Sequence, residues 1–441
     1  MNQLLRELQQ CSELPVQQQL HKYEGIFNVD PQSNPRIREI YKESYASIKD
    51  IDKRVDQANL FDNDWLAFNE VVISFIKLSN QLNPYSLLES FDLYGKFLED
   101  VSTAFSHYNK GWLLKDLVKS SVKYIFSMAN KLDFQLYYKG YCSTPRLSWL
   151  ASILLKVFNN IRSQTNEENT QKSSIIIFIG SNLCSIYFKI DNPLLCRNVF
   201  SNINTLNLSS SKFPKNEILS YRFYLSKFYL IKNQLIDSYQ HLTWCLSHCP
   251  IIPNHPNIIK ILKLLLPISI LIGKKPNFKF IKSTYLSKSL PKFILIYQKL
   301  SREVSSGNIF RFNQVVSNNR KYFKSLGLLL TIESKGTVLL VRNLFKKVWI
   351  ILGKPLKLEY DILIASLKCA GFDIQTDDLI IENLLVSLID QNLLKGKIFP
   401  RLRVASLARD NVFPPVDEIG FIRFGNGNGQ TLNPNDTWLT K

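Results

Sequence analysis

Residues 384–409 read LLVSLIDQNLLKGKIFPRLRVASLAR, and the fold turns on how this stretch is read. Leu384, Leu385, Leu388 and Ile389 recur at helical spacing. Lys395-Gly396-Lys397 breaks that pattern, and Ile398-Phe399 and Leu402-Arg403-Val404 read as two short strands. Upstream, residues 338–352 predict an amphipathic helix ending at Gly353, and residues 355–359 a short strand. Residues 361–370 predict a second helix stopped by Gly371. Asp377 or Asp378 can cap a third helix running to about Leu394. Helix, strand, helix, helix and a hairpin at 396–409 is the order of a winged helix.

The chain before residue 335 is helical by pattern. Apolar residues recur at three- and four-residue intervals in 66–82, 112–132, 146–162, 174–190 and 217–248. Polar composition marks 159–174 and 201–216 as loops. In the hairpin at 217–250, Tyr221, Tyr224, Leu225, Phe228 and Tyr229 form one stripe. Asn233-Gln234 is the turn, and Ile236, Tyr239, Leu242, Leu246 and Cys249 form the second stripe. The expected architecture is mainly α: a helical-hairpin, tetratricopeptide-like solenoid followed by a C-terminal winged helix. Expected divisions are an N-terminal helical region at 1–110, the solenoid at 111–335, the winged helix at 336–412 and a mobile tail at 413–441.

The 441 residues carry 55 Lys and Arg against 36 Asp and Glu, a formal net charge of +19. Residues 1–100 hold 10 basic and 16 acidic side chains, whereas 251–360 hold 20 and 3, and 251–300 have no acid. A surface that is only soluble mixes its signs, so this segregation points to an acidic partner. Seven irregularly spaced cysteines argue against a disulfide framework and for a reducing compartment. Arg6 and Glu7 interrupt any signal peptide. The longest uncharged apolar stretch considered, between Lys172 and Lys189, has 16 residues, short of the roughly 20 a spanning helix needs. No membrane insertion is expected.

No GxxxxGK[ST], HExxH, GxSxG or CxxC occurs. The GNGNG run at 425–429 lacks a following helix and a lysine. His21 and His107 have no nucleophile nearby in sequence. His241, Cys245 and Cys249 share a helix face, and His248 and His255 lie close, but Leu242 and Leu246 on that face favour packing over zinc. No catalytic residue, cofactor or metal is expected.

With these segments in place, the chain resembles the PCI family, in which a helical-hairpin solenoid ends in a winged helix. RNLFKKVWIILGKPLKLEYDILIASLKCAGF at 342–372, the stretch at 388–409 and FPPV at 413–416 are similar to the fungal PCI subunit of the transcription-and-export complex at nuclear pores. SNLCSIYFKIDNPLLCRNVFSNI at 181–203, LLPISILIGKKP at 265–276 and GNIFRFNQVVSNNRKYF at 307–323 extend the resemblance. It implies a non-enzymatic scaffold in the nucleus, at the envelope or pore. The implied partners are a large GANP-type PCI scaffold, a small acidic disordered Sem/Dss-type protein, and RNA or DNA. A paralogous PCI subunit linked to the signalosome and splicing shares the fold, and an enzyme whose site assembles only in three dimensions is the remaining alternative.

The residues themselves constrain how nucleic acid is held. The third helix of the wing domain offers Glu382, Asn383, Asp390 and Gln391, and carboxylates disfavour insertion into a groove. Positive charge sits instead on Lys335, Arg342, Lys346, Lys347, Lys395, Lys397, Arg401, Arg403 and Arg409, which suit sequence-tolerant phosphate contacts. Lys260, Lys263, Lys274, Lys275, Lys279 and Lys282 form the expected surface for the acidic protein.

Overall fold

A computed structural model describes residues 2–42, 50–141, 143–164, 170–206, 208–286, 291–372, 378–419 and 433–440. The chain divides into two compact units, 1–221 and 222–441. The first unit holds α1 (Asn2–Ser12), α2 (Val16–Ile26), α3 (Pro35–Lys42), α4 (Ile51–Gln57), α5 (Leu66–Gln81) and α6 (Leu87–Phe105). It continues with α7 (Lys115–Tyr138), α8 (Pro145–Gln164), α9 (Thr170–Ser173), α10 (Ile176–Lys189) and α11 (Cys196–Asn204). Successive long helices pack α5 on α6, α6 on α7, α7 on α8 and α8 on α10, the arrangement of stacked hairpins. Polar composition misleads at 159–174: α8 runs to Gln164, whose amide donates to Ser106 O (3.0 Å) and whose Oε1 accepts from Lys172. Residues 165–169 lie outside the described residues. At 201–216 the expected loop is shortened from both ends, by α11 to Asn204 and by α12 (Lys215–Ile231).

The second unit continues with α13 (Leu235–His248), α14 (Pro256–Leu271), α15 (Phe278–Tyr285), α16 (Lys292–Ser306), α17 (Ile309–Asn318) and α18 (Arg320–Ser325). Asn233 adopts φ +60° at the expected hairpin turn between α12 and α13. Pro267 sits inside α14 and has no N–H to offer Lys263 O. The freed carbonyl accepts instead from the Tyr297 hydroxyl of α16 at 2.8 Å, which ties the two helices together where the ladder is broken. Gly273, beyond the end of α14, has φ +85°, and an added Cβ would lie 2.4 Å from Val416 Cβ. Only glycine serves there, because the 413–416 segment lies directly on it.

The winged helix follows as α19 (Leu329–Ile351), β1 (Lys357–Glu359), α20 (Tyr360–Cys369), α21 (Asp378–Asp390), β2 (Gly396–Phe399) and β3 (Val404–Leu407). The strands form one antiparallel sheet in the order β1-β3-β2. Leu358, Leu363, Leu367, Ile381, Leu385, Leu388 and Ala405 are buried between sheet and helices. α19 starts nine residues before the position its sequence pattern predicts. β3 starts at Val404, not Leu402: Pro400–Leu402 form a 3₁₀ turn and Arg403 is left-handed at φ +51°. α21 ends at Asp390, four residues short of Leu394, and Asp377 lies outside the described residues. Among the described residues no strand precedes β1, and no helix is long and apolar enough to cross a membrane.

Of the C-terminal segment, residues 413–419 and 433–440 are described. Pro434–Thr440 form a 3₁₀ helix with Trp438 and Leu439 buried. Asp436, fully buried, accepts from the Tyr229 hydroxyl and faces His241 Nε2 at 3.3 Å. Arg222, also buried, donates to Leu439 O at 2.6 Å and lies 4.1 Å over the Trp244 ring. GNGNG at 425–429 lies outside the described residues.

Candidate nucleic-acid interface

The sheet register lays out the wing. Lys357 pairs with Ser406, and Ser406 with Lys397, so two lysines flank one hydroxyl in a single row across three strands. The next row is Leu358, Ala405 and Ile398, on the opposite face because side chains alternate along a strand. Leu358 and Ala405 are buried, which turns the lysine row outward. Lys395 precedes β2, Arg401 lies in the turn and Arg409 follows β3, and all three are exposed. None of Lys357, Lys395, Lys397, Arg401 and Arg409 enters an ion pair among the described residues. The sequence reading misses Lys357, although the alternation in Lys357-Leu358-Glu359 marks it as outward-facing.

Three of the nine cations named from sequence are engaged internally. Arg403 donates to Asp378 through Nε and Nη2 and to Asp361 through Nη2, each at 2.8 Å. Its charge is matched by two carboxylates, and it closes the wing turn onto α20 and α21. Arg342 is 5% exposed and donates to Pro414 O at 2.6 Å, Phe413 O at 3.3 Å and Asn343 Oδ1 at 2.8 Å. Burial lowers its pKa. It anchors the 413–416 segment and presents no guanidinium to a phosphate. Lys335 is half-buried, its pKa lowered by desolvation, and lines a half-open pocket. On the adjacent turns of α19, Lys347 is exposed and donates to Ser306 O at 2.7 Å. Lys346 is half-buried, its pKa lowered first by burial and then by Arg342 and Lys275.

α21 bears no Lys or Arg. Its exposed positions include Leu379, Asn383, Val386 and Asp390, while Glu382 is half-buried and Asp378 is committed to Arg403. The groups able to meet phosphate therefore lie on the sheet and its turns and not on the third helix.

The six lysines assigned to an acidic protein lie on α14, on α15 and in the turn between them. Lys263 Nζ lies 5.9 Å from the Phe293 ring centroid and Lys274 Nζ 4.7 Å from that of Tyr239. Lys282 donates to Gln298 Oε1 at 3.2 Å. Lys260, Lys263, Lys275, Lys279 and Lys282 enter no ion pair among the described residues. Lys275 lies near enough to Lys346 to lower its pKa, so the two basic groups separated in sequence meet at this point.

The half-open pocket beside Lys335 has a volume of about 350 Å³ and is lined mainly by Leu235, Leu271, Leu339, Leu393 and Val416, with Asp237. Burial and Asp436 raise the Asp237 pKa to about 6. No histidine, cysteine or serine lines it. Cys245 and Cys249 are buried, His241 is paired with Asp436, and His255 Nδ1 accepts from Asn257 N at the start of α14. Among the described residues no group of three or more His, Cys, Asp or Glu could hold a metal ion.

No family model matches the chain. It is similar to the nuclear mRNA export protein THP1 of Saccharomyces cerevisiae, 24% identical over 409 residues, covering 84% of this chain and 88% of that protein. PCI domain-containing protein 2 of Xenopus laevis is 23% identical over 357 residues, covering 80% and 86%. The Schizosaccharomyces pombe protein CSN12 homolog is 27% identical over 238 residues, covering 54% of each chain.

Proposed function

We propose that this chain, a PCI-domain protein similar to fungal THP1, is a non-catalytic scaffold and nucleic-acid-binding subunit of a complex that couples transcription to messenger RNA export at nuclear pores. The export role rests on the similarity to THP1, which runs through most of both chains. The CSN12 homolog covers about half of each, which favours export over the signalosome-linked alternative. The nucleic-acid role rests on one observation: Lys357, Lys395, Lys397, Arg401 and Arg409 stand exposed without carboxylate partners around one small sheet. Such groups bind phosphate without reading sequence. Partners in this reading are a GANP-type PCI scaffold and an acidic Sem/Dss-type protein over α14 and α15, with the protein acting in the nucleus.

The test is co-expression of the full chain with both partners, then binding of RNA and DNA of several sequences across a salt series. Lys395→Glu, Lys397→Glu, Arg401→Glu and Arg409→Glu together should weaken binding to every sequence alike and leave the protein complex intact. The acidic protein, bound over α14 and α15, should leave that RNA binding in place. Unchanged affinity in the fourfold variant at all salt concentrations removes the wing from the reading. Failure to co-purify with any PCI scaffold removes the export complex.

A further inference from the structure

The last turns of α7 carry an exposed aromatic cluster that the fold does not use. Phe134, Tyr137, Tyr138 and Tyr141 are 55, 64, 73 and 62% exposed. α7 is already held by Val118, Val122, Ile125, Ala129 and Leu132 on its other face, all buried. The rings meet edge to face: Phe134 and Tyr138 centroids lie 4.8 Å apart at 79°, Tyr137 and Tyr138 6.3 Å apart at 70°. Gly140, at φ +86°, turns the chain back at the helix end, and Tyr141 N donates to Leu136 O at 3.1 Å, which fixes Tyr141 beside the last turn. Each of the four side chains keeps more than half of its surface in solvent, so aromatic surface remains available for stacking.

The exposed charges on the last turns of α7 itself have one sign. Lys131 and Lys139 are exposed beside the rings and enter no ion pair among the described residues. Asp133 is the only acid in 127–141, and it is buried, accepting from Leu147 N at 2.8 Å and facing Arg146 at 3.5 Å. About two turns before Phe134, Lys189 lies 4.8 Å over the Phe126 ring. At the far end of α7 Glu24, Asp30, Asp116 and Glu217 line a hollow with Lys119 and Lys123, and beside the start of α8 Asp92 and Glu99 line another with Lys96 and Arg146.

We infer that Phe134, Tyr137, Tyr138 and Tyr141, flanked by Lys131 and Lys139, are a stacking platform for unpaired bases of single-stranded nucleic acid. Open aromatic faces accept any base, and the lysines suit the backbone between successive bases. The exposed neighbours on the helix are Ser127, Lys131, Gln135 and Lys139, polar or basic with no carboxylate among them, which suits a polyanionic strand. This goes beyond the wing reading and does not depend on it.

The experiment uses the full chain with fluorescent oligo(U) and a duplex of equal length, read by anisotropy across a salt series. Phe134→Ala with Tyr137→Ala and Tyr138→Ala should weaken oligo(U) binding roughly 10-fold or more, with the salt slope and duplex binding unchanged. Phe at positions 137 and 138 should restore affinity, since stacking needs the ring and not the hydroxyl. Lys131→Ala with Lys139→Ala should flatten the slope by roughly 1.4 for single strands. Circular dichroism should show the folded state retained, because the altered side chains are exposed. Wild-type oligo(U) affinity in the aromatic variant overturns the inference, as does loss of a protein partner with RNA affinity intact. The fourfold wing variant separates the two proposals: an aromatic effect with no wing effect sinks the wing, and the converse sinks the platform.

Discussion

Arg342→Met separates a structural cation from a binding one. Arg342 projects from α19 into the protein, where Nη2 donates to Pro414 O and Phe413 O and Nη1 to Asn343 Oδ1. No carboxylate stands opposite it in any of these contacts, and its Nε finds no acceptor among the described residues. A hydrogen bond from a charged donor is worth about 1.5–3 kcal/mol net. Loss of the two carbonyl contacts therefore costs about 3–6 kcal/mol before relief of the buried charge, which burial already disfavours. Methionine keeps the stem's packing, so a net loss of about 2–4 kcal/mol is expected. Lysine should rescue poorly, since a point charge cannot fork to two carbonyls. The assay is chemical denaturation with hydrogen exchange read at 410–416. Faster exchange there is expected, because Val412 O also accepts from Lys395 N and the segment ties the wing to α19. Unchanged stability and exchange, with a salt slope of RNA binding lowered by roughly 0.7, would falsify the anchoring role and return Arg342 to the phosphate-contact set.

Two further outcomes test buried polar groups. Lys172 is fully buried, donates to His107 O at 2.7 Å and Gln164 Oε1 at 2.5 Å, and has its pKa lowered by desolvation to about 8. Between about pH 8 and 10.5 the unfolded chain holds a proton that the folded chain has released, so this group's contribution to stability rises with pH across that window, by on the order of 3 kcal/mol. Lys172→Met should remove that rise in denaturation curves taken at several pH values; an identical pH gradient in the variant refutes it. Asp436→Ala leaves the Tyr229 hydroxyl and His241 Nε2 without this carboxylate in the interior, and should cost about 2–4 kcal/mol. Deletion of 433–441 should cost at least as much, and a melting temperature equal to wild type would show that Trp438 and Leu439 contribute nothing.

What the sequence reveals follows the range over which each signal acts. Helices at 66–82 and 146–162 are legible because their apolar periodicity is local and repeated, and the structure places α5 and α8 within two residues of those bounds. The winged helix is legible because Gly396 and Pro400 punctuate short apolar runs. Arg342 is not: on a helix of mixed composition it looks like any surface cation, and its acceptors lie 71 and 72 residues away. Arg403 depends on a left-handed backbone and on carboxylates 25 and 42 residues distant. The closing 3₁₀ helix is too short for periodicity, follows a Gly-Asn run, and is held by Tyr229, His241 and Arg222, 195 to 217 residues upstream.

The sorting of cations sets a quantitative bound on the wing. From sequence, nine positive side chains stand together and would neutralise many phosphates. In the structure, Arg342 is buried, Lys335 faces a cavity and Arg403 is matched by Asp361 and Asp378. What remains on the wing is Lys357, Lys395, Lys397, Arg401 and Arg409. Five phosphate contacts give a slope of log K against log salt of about −4.5 on duplex DNA and about −3.5 on single strands. A shallower slope fits partial use of the wing. A steeper one needs cations from elsewhere, and the acid-free α14–α15 surface and the end of α7 are two places that could supply them. The acidic protein decides between these. If adding it brings a steep slope down toward the wing value, α14 and α15 had been holding nucleic acid. If the slope stays steep until Lys131 and Lys139 are removed, the extra contacts belong to α7.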